Sequence, residues 1–332
     1  MAGGLVPIDQ NRPADLTQTA HFGANYPEAS PATPGRVQPD AFFVRKVFND
    51  KLQFSDGRDV EYWAFKDPNE DKPFPSTPIR VRQGQVIHTT LEPSINVHTI
   101  HHHGIEPSTF NDGVPHTSFN VKSRYTYQWR ASRAGTFFYH CHRNAPLHVQ
   151  MGMFGYLIVD PPSGPGTLYV GGPQYDLEAL WAAYDIDPAW RQYGHQSGER
   201  NAMEERTRLN RFQPRYFTIN GVDSARSKNN GKTTVWARRG QRILLRHLTG
   251  AYFVNTVIFH PALQPVVHMS DGEPLPAPTP LPGNRLVTTT AERYDMILTP
   301  ANAGTFTVTY QFRHWLTNAL AGTATAHVVV SP

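Results

Sequence analysis

Cysteine is almost missing: Cys141 is the only one in a chain of 332 residues. A framework of intramolecular disulfides is therefore excluded, and a lone thiol says nothing by itself about compartment. Charge is sparse too, at 17% of residues, and the formal net charge of +4 comes from scattered basic side chains. Without a basic cluster there is no footprint for nucleic acid. No apolar run approaches the length of a membrane span, so no membrane partner is expected. The opening Met1-Ala2-Gly3-Gly4 lacks the basic and apolar regions of a secretory leader and leaves export open.

Turn residues are plentiful, with 29 Pro and 25 Gly. They punctuate short segments of strand-forming residues, which is the pattern of β-sandwiches rather than helix bundles. The length suits two domains. Residues 1–40 are Pro-rich without apolar periodicity and read as an extended arm or disorder. Strands are expected at 41–48, 60–65, 79–81, 85–91, 94–103, 124–129, 135–141 and 155–159, forming domain 1 over 41–162. Residues 163–212 read as a partly helical connection, with a helical turn or two within 175–190 and a charged, helix-permissive stretch at 201–211. The strand pattern resumes at 216–220, 233–237, 242–247, 253–259, 264–268, 285–289, 293–298, 305–310 and 323–330. That makes domain 2, over 213–332, which has no cysteine. The fold class is all-β, two Greek-key sandwiches.

The chemistry concentrates in two runs, His98-Thr99-Ile100-His101-His102-His103-Gly104 and Tyr139-His140-Cys141-His142, followed by His148 and Met153. Side chains alternate faces along a strand. If both runs are extended, Cys141 and His98 face one way, with His148 and Met153. His101, His103, His140 and His142 gather on the other side. A thiolate, two imidazoles and a thioether form the soft, mixed donor set of a blue-copper site and favour copper over zinc or iron. Met151 competes with Met153 for the thioether position, and the Gly152-Met153 turn favours Met153. The four imidazoles suit copper or zinc. His102 has the parity of His98 and reads as packing or support.

These runs, with Asp112-Gly113-Val114-Pro115 and Gly135-Thr136-Phe137-Phe138 leading into His140, resemble the multicopper oxidase and copper nitrite reductase superfamily built from cupredoxin domains. The resemblance covers 41–160, and the Cys-x6-His spacing is similar to that of two-domain, laccase-like oxidases with type 1 copper in the first domain. It implies a type 1 centre at His98, Cys141, His148 and Met153, and a type 2/type 3-like copper site at His101, His103, His140 and His142. Domain 2 resembles the copper-free middle domain of three-domain oxidases in Phe217-Thr218-Ile219-Asn220-Gly221, Ser270-Asp271-Gly272 and Ala291-Glu292-Arg293-Tyr294-Asp295. It has no His-x-His pair, where the family completes its trinuclear cluster with such pairs. By the nitrite reductase pattern a third ligand comes from a neighbouring second domain, with His314 the candidate and His260 behind it. The reductases' catalytic Asp would fall at His101, a departure from their pattern. Asp112 is implied as a proton relay, or is simply a turn-forming residue.

The function implied is a copper oxidoreductase that draws electrons from a small-molecule or metal-ion donor and reduces dioxygen, completed as a cyclic homotrimer. The alternatives are a blue-copper electron carrier with an incomplete second site and a nitrite-reductase-like enzyme. The family is usually exported, which favours a periplasmic or secreted location.

Overall fold

The computed structural model describes residues 38–107, 109–195 and 211–332. The expected arm at 1–40 and the helix-permissive stretch at 201–211 lie almost wholly outside the described residues.

The first sandwich is built from β1 (Ala41–Gln53), β2 (Asp59–Lys66), β3 (Ser76–Arg82), β4 (Val86–Glu92), β5 (His101–His103), β6 (Tyr125–Arg130), β7 (Gly135–His140) and β8 (Phe154–Asp160). They form two four-stranded sheets, ordered β2-β1-β4-β6 and β3-β8-β7-β5. Trp63, Phe65, Ile79, Ile87, Trp129, Phe137 and Leu157 fill the space between them. Each large apolar side chain so buried contributes roughly 2–3 kcal/mol. Two short helices join the strands: α1 (Thr109–Asp112) and α2 (Ala145–Met151).

The second sandwich pairs a six-stranded with a five-stranded sheet. Its strands are β9 (Leu177–Ile186), β10 (Tyr216–Ile219), β11 (Thr234–Arg238), β12 (Ile243–Thr249), β13 (Val254–Ile258), β14 (Val266–Ser270), β15 (Glu273–Pro280), β16 (Arg285–Thr288), β17 (Arg293–Leu298), β18 (Gly304–Arg313) and β19 (Leu320–Ser331). The described residues are nearly all strand and turn, in two sandwiches.

Three local expectations need correction. Residues 177–186 are not helical but form β9, which pairs with β10 and β12, so part of the expected connection belongs to the second sandwich. Most of that strand is buried, and an apolar run without alternation does not distinguish strand from helix by period. Among the described residues of the connection, the helical element is a 3-10 turn at Pro188–Gln192, capped by the Asp187 carboxylate, which accepts the Ala189 N–H. Residues 94–103 are not one strand, because only His101–His103 pairs in a ladder and His98 makes a single bridge to Val121. The Pro-rich strand β15 was not foreseen; it lies at a sheet edge, where proline's missing N–H costs no ladder bond.

The two sandwiches share a buried polar joint. The Arg246 guanidinium is fully buried and donates to Glu178 Oε1 at 2.7 Å and to Thr136 Oγ1 at 2.8 Å, with Asp295 at 3.6 Å and Asp160 at 3.9 Å. Arg80 adds a pair of donor bonds to Asp160, at 2.6 and 2.8 Å. The Thr136 hydroxyl, on β7, donates to the Asp295 carboxylate on β17. The strand that carries His140 is thus pinned to domain 2.

Candidate metal centres

Strand pairing decides where the imidazoles go. β5 and β7 run antiparallel with His101 opposite His140, His102 opposite Tyr139 and His103 opposite Phe138. Directly opposed residues share a face, so His101 and His140 meet while His102 points inward. His102 is buried against Tyr127 and Trp129, with Nε2 at 3.3 Å from Thr89 Oγ1. Gly113 locks the base of this face. Its φ is +74°, and a Cβ there would lie 1.8 Å from the Ile100 carbonyl oxygen, so only glycine fits beneath the histidine run.

Two clusters result. His101, His103 and His140 each offer a nitrogen within 4.8 Å of the others. His103 Nδ1 lies 3.4 Å from His140 Nε2. His142 sits beside them, its ring centroid 5.2 Å from that of His101 and 5.6 Å from that of His140. The other nitrogens are tied down: His101 Nδ1–H donates to the Asp112 carbonyl at 2.7 Å, and His140 Nδ1–H to the Cys141 carbonyl at 3.0 Å. Ligand histidines are typically held this way, one N–H on an acceptor and the second nitrogen free for a metal.

The second cluster is closed. Cys141 Sγ lies 3.1 Å from His148 Nδ1 and 3.6 Å from His98 Nδ1, and all three residues are fully buried. His148 reaches the sulfur because α2 turns the chain back. That helix ends at Gly152, whose φ of +113° is left-handed and where a Cβ would lie 2.8 Å from the Trp63 carbonyl oxygen. Met153 follows, buried, its N–H on the His148 carbonyl at 3.0 Å and its own carbonyl on the Cys141 N–H at 3.1 Å. The sulfur of Met151 is in contact with the Arg191 guanidinium.

Burial sets the protonation states. It pushes the Cys141 thiol up to about 11, so a metal must displace its proton. Burial also holds His148 down at about 3 and His98 and His140 well below the usual range. His103 falls to about 3, through burial and then the neighbouring Arg293 guanidinium. Neutral imidazoles are the ligating form.

Sequence reasoning did not find His195. It follows the 3-10 turn of the connection, is buried, and brings a nitrogen within 4.8 Å of those of His98 and His148. Its main-chain carbonyl accepts His148 Nε2–H at 2.8 Å, and burial holds its imidazole at about 4. No motif surrounds it, and only the tertiary path of the connection delivers it.

The histidine cluster opens on a cleft of about 500 Å³ between the sandwiches. One wall carries His101, His103, Glu106 and Asp112, and the facing wall of domain 2 carries Asp271, Glu292 and Arg293. His314 and His260 are not there. His314 Nδ1 accepts the main-chain N–H of Leu316 and Thr317 at 3.2 and 3.3 Å, its ring stacked on Trp315. His260 is exposed and its Nδ1 accepts the Ala262 N–H at 3.2 Å, which caps a turn. Among the described residues of this one chain, both do local structural work away from the cluster.

Residues 52–164 match the family model of multicopper oxidases. Over that stretch, about a third of its length, the chain is similar to a multicopper oxidase domain. An L-ascorbate oxidase of Cucumis sativus is 29% identical over 159 residues, 45% of this chain but 24% of that protein, so the match spans about a quarter of the relative's length. Among solved structures, a blue copper oxidase from Nitrosomonas europaea superposes with a TM-score of 0.67 at 22% identity, covering 87% of this chain and 86% of that one. A copper nitrite reductase from Nitrosomonas europaea superposes at 0.64 with 16% identity, covering 87% and 93%. At those identities the likeness is one of fold. The cofactor of such a domain is copper, and the donors here fit it: a thiol with imidazole nitrogens aimed at its sulfur, and a separate group of neutral imidazoles.

Proposed function

We propose that this chain is a laccase-like copper oxidoreductase, which takes single electrons from a small-molecule or metal-ion donor and reduces dioxygen. One observation carries the reading. Cys141 Sγ faces His98 and His148, while its sequence neighbours His140 and His142 turn to His101 on the other side. Copper, when bound, supplies the one-electron redox chemistry that no side chain here possesses.

The side chains do the rest. Cys141, His98, His148 and Met153 form a dry, preorganised pocket whose thiol gives up its proton on loading. His140 and His142, one peptide unit either side of Cys141, join that pocket covalently to the cleft. Asp112 holds His101 through its carbonyl, and its Oδ1, 3.2 Å from His101 Nδ1, is the cleft carboxylate in contact with the histidine cluster and the candidate to hold and pass a proton there. Burial, and after it the neighbouring Arg293 guanidinium, lowers the proton affinity of His103 and so keeps that imidazole free to ligate. Donors beyond His101, His103, His140 and His142 come in this reading from domain 2 of another copy, in a cyclic homotrimer. The test is oxygen uptake by copper-loaded protein supplied with phenolic or metal-ion donors. Turnover with more than one copper per chain supports the proposal. One copper per chain and no uptake overturns it.

The acidic wall facing His101 and His103 favours a second reading, an electron carrier whose second site is incomplete. Counting copper by mass spectrometry, with spectra before and after mild chelation, separates the two. Nitrite reduction is tested by supplying nitrite and a reductant without oxygen.

A further inference from the structure

His195 shows the arrangement of the other ligand histidines, yet it lies outside domain 1. Its Nε2–H donates to Asn49 Oδ1 at 3.2 Å, which turns Nδ1 inward, and Nδ1 is buried without a hydrogen-bond partner. The ring is held flat against Trp63, centroids 3.6 Å apart and planes 14° from parallel. It meets His98 edge to face at 5.1 Å and His148 at 6.0 Å. A buried imidazole nitrogen without a partner is costly. Here it sits among two histidines whose Nδ1 atoms already face a thiol.

We infer that His195 supplies a further imidazole donor at the Cys141 metal centre, so that the connection between the domains contributes a ligand. The inference rests on the reading that copper binds at Cys141. With copper bound, a third imidazole beside two imidazoles and a thiolate would add the kind of nitrogen donor that suits Cu(II). Thiolate and thioether favour Cu(I), so the added nitrogen would lower the reduction potential and weaken the copper–sulfur bond. His195 then sets the poise of the centre as well as its shape.

The chain has one cysteine, so a thiolate-to-copper absorption band reports this centre alone. The experiment compares wild type with His195→Ala and His195→Phe, each loaded with copper, by visible spectrum, resonance Raman excited in that band, and midpoint potential. Phe keeps the stack on Trp63 and removes the nitrogen, which covers the case in which Ala fails to fold. Both variants should show a stronger, longer-wavelength band and a higher copper–sulfur stretching frequency. The potential should rise by at least about 59 mV, the equivalent of tenfold in Cu(I) over Cu(II) binding. Added imidazole should reverse these changes in His195→Ala, where a ring-sized gap is open, and not in His195→Phe. A Phe variant indistinguishable from wild type overturns the inference, whatever Ala does, because the ring then only packs. A wild-type protein with no thiolate band overturns instead the placement of copper at Cys141, and this inference with it.

Discussion

The two clusters differ most in what closes them. The Cys141 pocket is sealed: its sulfur and the rings of His98 and His148 are fully buried. The helix carrying His148 is clamped from domain 2. Gln150 Nε2 donates to the Asp185 carbonyl at 2.6 Å, and the Tyr252 hydroxyl donates to the Pro146 carbonyl at 2.5 Å. The His101 cluster is open. Its strands β5 and β7 are equally well paired, but the metal-facing side looks across a cleft at carboxylates and one guanidinium. Domain 2 therefore acts in opposite ways at the two places. At the first it holds the helix that carries His148; at the second the described residues present a wall of Asp271, Glu292 and Arg293. A sealed cluster and an open one can share one strand because β7 and the residues after it expose alternate side chains to each.

Removing the sulfur should have the largest effect. Cys141→Ser should weaken copper binding in the sealed pocket by well over ~100-fold, beyond the usual loss for a supporting residue. The absorption band should vanish while copper at the His101 cluster persists, as read by metal content and spectrum. Next, Arg246→Ala leaves the buried Asp295 carboxylate without a cation, while Arg80 still pairs with Asp160 and Glu178. A loss of about 3–5 kcal/mol in urea unfolding is expected, with both metal sites weakened because β7 loses its anchor. His140→Ala should cost the open cluster roughly 10–100-fold in affinity and leave the thiolate band in place. A variant that loses both would show that the clusters are not independent.

Asp185 probes the clamp on the sealed pocket through pH. Burial pushes its carboxyl up to about 7, although it accepts the N–H groups of Tyr252 and Phe253 at 2.9 Å each. Because the folded value lies above the unfolded one, the carboxyl's contribution is full below about pH 4 and fades as pH rises to 7. Asp185→Asn cannot ionise, so its stability should not fall over that window. Wild type should lose on the order of 2–4 kcal/mol there, measured by urea unfolding at several pH values. The smallest effect on copper binding is expected at Asp112→Asn. The main-chain carbonyl still holds His101, so copper affinity should change by less than ~10-fold, while oxygen uptake falls by on the order of 100-fold if the carboxyl relays protons.

Much of this was legible in the chain itself. The β-sandwich pairing of short strands followed from turn residues and alternation, and the separation of Cys141 from His140 and His142 followed from strand parity. The parity argument for His98 reached the right grouping by a wrong route, because residues 99–100 are not strand and a lone bridge to Val121 holds His98. β9 was hidden because it is buried on both faces, and β15 because proline disguises an edge strand. His195 left no trace at all. Its approach to His98 depends on where the connection crosses domain 1, a matter of tertiary path rather than spacing. His314 and His260 were singled out by the nitrite reductase pattern of a ligand from a neighbouring second domain; within this chain each accepts nearby main-chain N–H groups.

Anomalous diffraction at the copper edge, on crystals of the copper-loaded protein, tests the division into two centres most directly. The expected map has one peak bonded to Cys141 Sγ among His98 and His148, and separate density between His101, His103 and His140. A single peak shared by both sets, or none beside the sulfur, would contradict it.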